Sequence, residues 1–119
     1  MIIIISPAKK MKEELCVSYT QLPQFLDRTE ELRKRISEMS YEECQKLWNT
    51  NDSLTRLNYE RFSNMDLTKN LSPAILAYEG LQYQHMAPGV LEEASYTWLC
   101  EHLRVISGFY GVLRCDDGI

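Results

Sequence analysis

Several polar residues in this sequence fall directly after short apolar runs, where their chemistry suits an anion. Lys9 and Lys10 follow Ile2–Ile5 and Ser6-Pro7; Gly80 and Tyr83 follow Ala74–Tyr78; Arg104, Ser107, Gly108, Tyr110, Gly111, Arg114 and Asp117 cluster around a third apolar run. A lysine offers a compact point charge, an arginine a bidentate fork, and glycine a backbone N–H that a phosphate can approach. Phenols such as Tyr83 and Tyr110 add faces on which a nucleobase can stack. Lys9 is the candidate catalytic residue: beside Lys10 and out of water, its amine would lose its proton more easily and act as nucleophile or base. Anion binding asks less of it, since amine catalysis needs a dry pocket. Plainer readings stand beside these. Lys9 and Lys10 can blunt and solvate a strand end; Arg104 and Arg114 can pair with Glu79, Asp116 or Asp117; either tyrosine can sit in the core with its hydroxyl at the rim.

The elements that must position these residues are readable from pattern. Four β-branched residues favour extended backbone, and their lack of alternation predicts a strand at Ile2–Ile5 buried on both faces. Pro23 suits the first turn of a helix, with Phe25, Thr29, Leu32, Ile36 and Met39 forming its apolar stripe. Ser40 with Glu43 is a capping box opening a second helix that turns Tyr41, Cys44, Leu47 and Trp48 inward. The polar run Asn49–Ser53 breaks it and caps a third, with Leu54, Leu57, Phe62 and Met65 as apolar positions. Ala74–Tyr78 reads as a buried strand, Leu81–Met86 as a helical turn, and about Val90–Leu103 as a helix burying Leu91, Ala94, Trp98 and Leu99. Arg104–Ser107 reads as a third strand.

The expected class is therefore α/β: a mixed or parallel sheet with amphipathic helices, three of them inserted after the first strand. If the strands run parallel, Lys9, Tyr83, Tyr110 and Arg114 converge outside their carboxyl ends, where open α/β sheets bind ligands.

Composition narrows the function classes. The 119 residues carry a formal net charge of −4, which disfavours binding nucleic acid through bulk positive charge. Residues 1–40 nevertheless hold seven of the 13 Lys/Arg against six of the 17 Asp/Glu, so any anion site is local. Cys16, Cys44, Cys100 and Cys115 lack zinc-knuckle or dithiol spacing, and His85 and His102 lack a metal-ligand motif. Neither metal nor cofactor is expected. The opening methionine runs straight into the first strand, without leader features or a membrane-length apolar run, which predicts a cytoplasmic protein with no membrane partner.

Three stretches, SPAKKM at 6–11, AILAYEGLQY at 74–83 and LRVISGFYGVLR at 103–114, resemble in this order the motifs of the bacterial peroxide stress response protein YaaA family. The resemblance implies a cytosolic stress protein that binds DNA and is linked to limiting intracellular iron and oxidative damage. It also implies a helix-hairpin-helix-like element, which would lie in the helices of Ser40–Met65 with a hairpin at Leu47–Leu54. That hairpin has no glycine-rich turn. Where the family reads R-P-L-D, this chain reads Arg114-Cys115-Asp116-Asp117, and it stops at Ile119 where family members continue into a second half. The expectation is a single, incomplete α/β domain over 1–119, part of a larger domain, with a helical segment at about 23–65. The alternative function is an enzyme acting on a nucleobase or nucleotide at a strand-end cleft containing Lys9; a small anionic or nucleotide ligand is possible in either case, and oligomeric state is left open.

Overall fold

The isoleucine run forms a strand, but a short one at an edge. A computed structural model describes all 119 residues, in the order β1 (Ile3–Ile5), β2 (Lys10–Met11), α1 (Leu26–Ser37), α2 (Tyr41–Trp48), α3 (Asp52–Ser63), α4 (Ala74–Ala77), β3 (Tyr78–Glu79), α5 (Leu81–Met86), α6 (Glu93–His102), β4 (Leu103–Ser107) and β5 (Gly111–Arg114). β1 runs parallel to β4, with Ile3 opposite Leu103 and Ile5 opposite Val105, and β5 returns antiparallel along β4. The sheet is thus mixed, in the order β1–β4–β5, and a separate antiparallel ladder joins β2 to β3. Burial of the isoleucines on both faces does not hold: Ile2 and Ile4 are 53% and 65% exposed, because nothing lies beyond β1 or over that face.

The hairpin between β4 and β5 depends on two local devices. Ser107 Oγ accepts the backbone N–H groups of Phe109 and Tyr110, at 3.2 and 3.0 Å, and so tightens the turn. Gly111 then adopts φ +77°, a left-handed conformation that side chains resist, with the Phe25 ring where a Cβ would stand 3.0 Å away.

The capping signals were accurate guides to the helices. Ser40 Oγ accepts the Glu43 N–H and starts α2, Asn49 ends it in the left-handed conformation, and the Asn51 side chain accepts the Leu54 N–H to start α3. Trp48 stacks on Phe62 across the pair at 5.3 Å. The buried faces differ from those the spacing predicts. Pro23 is buried ahead of α1 and outside its first turn; since the helix begins only at Leu26, its inward stripe runs through Leu26, Thr29, Arg33 and Ile36, leaving Phe25 and Leu32 exposed. Leu47 also points to solvent, one position away from the Cys44–Trp48 stripe.

Ala74–Tyr78 is not a strand of the sheet. Ala74–Ala77 make one helical turn, with the Leu76 and Ala77 N–H groups closing on the Pro73 carbonyl, and only Tyr78–Glu79 is extended. The first two N–H groups of the turn go to the carbonyls of Asp117 and Cys115, so the segment is held by the end of the chain. A short run buried all round has no periodicity to separate helix from strand. α6 begins at Glu93 because Pro88–Val90 form a 3-10 turn; Tyr96, Leu99 and Cys100 pack on the core, while Ala94 and Trp98 face outward.

The core gathers Ile75, Tyr78, Leu103, Val105, Leu113 and Cys115 between the inner sheet face and α4. No helix is long and apolar enough to cross a membrane. Gly111→Ala is expected to destabilise the fold by about 1–2 kcal/mol through backbone strain and contact with Phe25. Urea unfolding would show this as a lower midpoint at unchanged slope; an unchanged midpoint would contradict the role given to the turn.

Candidate functional site

Because β1 and β4 are parallel, Ser6 and Ser107 leave the sheet at the same end. The Tyr83 hydroxyl, carried by α5, donates to the Ser6 carbonyl at 2.7 Å. Its ring lies 5.6 Å from that of Tyr78, another buried phenol. Ser107 in turn holds the N–H of Tyr110, and Tyr78, Tyr83 and Tyr110 pack in one buried cluster, a seam of aromatic rings through the core. Gly80 keeps the loop after β1 close, since a Cβ there would meet that of Ala8 at 3.2 Å; Gly108 has open space on its side-chain side. Burial pushes Tyr83 up to about 12 and raises Tyr78 and Tyr110 as well. At neutral pH these phenols are hydrogen-bond donors, not bases.

Beside the seam lies a cleft of about 580 Å³ whose lining includes Lys10, Lys12, Glu14, Tyr78, Glu79 and Tyr83. Lys10 stands opposite Glu79 across the β2–β3 ladder. Lys9, Lys10 and Lys12 are all exposed and none forms an ion pair. Lys9 is outside the lining of this cleft. Tyr110 borders a different cleft of about 610 Å³, between β2, the end of α3 and the chain's carboxyl end, with Arg61 and Lys69 on its wall.

The two arginines are committed elsewhere. Arg104 and Arg114 face each other across β4 and β5, about 10 Å back along the strand from Ser107. Arg114 donates from Nε to Asp117 Oδ1 at 2.9 Å and from a terminal nitrogen to the Leu22 carbonyl at 3.0 Å, while its backbone N–H donates to Asp117 Oδ2 at 2.9 Å. Arg104 spends its guanidinium on the carbonyls of Cys100 and Leu103, at 3.0 and 2.8 Å, where α6 ends. The structure thus brings Ser6, Gly80 and Tyr83 together with the lysine loop, joins Ser107 to Tyr110, which shares the second cleft with Lys12, and does not bring Arg104, Arg114 or Asp117 to them. Pattern reading passed over Tyr78, Lys12, Glu14 and Glu79 as site residues. The spacing K-K-M-K was the visible signal for Lys12, whereas Tyr78 joins only through the turn of α4.

Burial raises the thiol pKa values of Cys44, Cys100 and Cys115, the last to about 12. These three are protonated, poorly nucleophilic thiols at neutral pH. No group of three His, Cys, Asp or Glu side chains is arranged to hold a metal ion.

Asp117 is fully buried, and burial pushes its carboxyl up despite the pull of Arg114. With the folded pKa above the unfolded one, its contribution to stability is complete below the unfolded pKa and is lost as pH rises through the folded value. The stability of the parent relative to Asp117→Asn is therefore expected to fall between about pH 3 and 7, the carboxylate range. Urea midpoints across that range test it, and a difference that grows with pH would reverse the sign. Asp117→Ala should cost about 3 kcal/mol at the acid end of that range, because it strands the Arg114 donors, and less as the pH rises.

A sequence profile described as peroxide stress protein YaaA matches residues 1–119. A UPF0246 protein of Lachnoclostridium phytofermentans is 48% identical over 120 residues, covering all of this chain and 47% of the relative. UPF0246 proteins of Desulfitobacterium hafniense and Pediococcus pentosaceus are 46% and 45% identical, again over the whole chain and 48% of each relative. The chain spans about half the length of the curated relatives it matches. With every residue inside the profile and three ordered motifs shared along its length, the chain belongs to the YaaA family of peroxide stress proteins.

Proposed function

We propose that the chain serves peroxide resistance by contacting DNA, with the lysine loop after β1 as its phosphate-binding element. The observation that carries this reading is the set Lys9, Lys10 and Lys12: three exposed cations within four residues, none neutralised by an ion pair. Phosphate contacts of this kind fix a protein on the duplex without reading sequence. The α2–α3 hairpin is the element that corresponds to a helix-hairpin-helix. Its Lys46, Arg56 and Arg61 are outnumbered by Glu42, Glu43, Asp52 and Glu60, so the lysine loop supplies the charge and the hairpin the shape. In this reading the protein works in the cytosol, and DNA contact is its part in limiting iron-driven oxidative damage.

Fluorescence anisotropy of a labelled duplex at several salt concentrations tests the reading. Three lysine–phosphate contacts predict log K falling with log salt at a slope of about −2.7, and Lys9→Ala should make that slope shallower by about 0.9. Absent binding, or binding indifferent to salt and to Lys9, would remove the proposal.

A second reading has its own observation: the cleft of about 580 Å³ places Tyr78 and Tyr83 beside Lys10 and Lys12, a combination suited to a nucleotide. Lys9 would be the amine of any enzymatic chemistry there, reaching in from outside the lining. Borohydride reduction in the presence of an abasic duplex should then leave an adduct on Lys9, and an unmodified Lys9 peptide by mass spectrometry would count against the enzyme.

A further inference from the structure

The three-stranded sheet is covered on one face and open on the other. Alternation along the strands turns Ile5, with Leu103, Val105 and Leu113, toward the core, while Ile3 on the same face stays partly exposed. The opposite face carries Ile2, Ile4 and Ile106, which are 53%, 65% and 43% exposed, with Arg104 beside Ile4 and Arg114 next to it on β5. β1 is also an edge strand, so the outward half of its backbone groups has no ladder partner. Soluble proteins protect such edges with a charge, a proline or a bulge inside the strand. Here the lysines and the proline come only after the four isoleucines, and the run itself is uninterrupted. An uninterrupted apolar strand is the composition of a sheet interior with both neighbours present.

The relatives supply the length such a neighbour needs, because each carries about as much chain again as the part matched here. We propose that the open edge of β1 and the Ile2–Ile4–Ile106 face dock the polypeptide that family members carry outside these matched residues. An extended, apolar segment pairs with β1 as a further strand, and its layer covers the three isoleucines. β1 then lies inside the sheet, and both faces of the isoleucine run are buried. The proposal rests on the family assignment and is independent of whether the protein binds DNA.

The test is co-expression of the tagged 119-residue chain with the part of the Lachnoclostridium phytofermentans relative lying outside its 120 matched residues. The expected result is a soluble one-to-one complex in which the amides of Ile2–Ile5 exchange with deuterium at least about tenfold more slowly than in the chain alone. Ile4→Lys, at a position already exposed, should keep the urea midpoint of the parent yet weaken capture by more than about tenfold, since it buries a charge in the interface. Val90→Lys, 83% exposed and outside the patch, should capture normally. An insoluble or unbound partner in the presence of the parent chain would overturn the proposal. So would capture undiminished by Ile4→Lys, or a homodimer of this chain that protects Ile2–Ile5 and excludes the partner.

Discussion

The turn closed by Arg114 and Asp117 is the constraint on which the rest of the structure hangs. Asp117 accepts from both the backbone and the side chain of Arg114, so the chain reverses as soon as β5 ends. That reversal lays residues 115–119 against two distant segments. The carbonyls of Cys115 and Asp117 take the N–H groups of Ile75 and Ala74; Ser72 and Ile119 exchange a pair of hydrogen bonds; Gly118 donates to Gln21, and Thr20 donates to Asp116. α4, the loop before α1 and the sheet are joined at this one place. Gly118 leaves no room for a side chain there, since a Cβ would stand 2.8 Å from the Tyr19 ring.

The same constraint decides which charges are left for a ligand. Burying Asp117 commits Arg114 to it, and the end of α6 commits Arg104 to backbone carbonyls, so neither guanidinium is free to grip a phosphate. The phenols are held neutral by burial, and that of Tyr83 donates to the Ser6 carbonyl. What remains uncommitted on this side of the molecule is the lysine loop, and its position follows from Tyr83 pinning Ser6 and from Gly80 admitting Ala8. In a chain of net charge −4, a local set of unpaired lysines governs anion contact more than the overall field does.

Much of this was legible in the residues. The α/β class, the strands at each end and the three helices between the first strand and α4 followed from β-branched runs and from caps at Ser40 and Asn51, which are local signals that local structure obeys. The lysine loop and the seam residues Ser6, Tyr83, Ser107 and Tyr110 could be nominated from their places after apolar runs. Less legible were the fates of Ala74–Ala77, Arg104 and Arg114. Their partners are fixed by contacts remote in sequence or by the meeting of α6 with β4, and composition gives no account of such partners.

By itself, the sequence determined the helices capped at Ser40 and Asn51, that the isoleucine run must be a strand, and that cations follow it. Family membership was also written there, in three ordered motifs. Tertiary structure alone decided that β1 lies at an edge, that the two arginines serve the fold, and that Tyr78 packs on Tyr83. The physical reason is one of range. Caps, propensities and periodicity act within a few residues, whereas a hydrogen bond or an ion pair goes to whichever group the folded chain brings within about 3 Å.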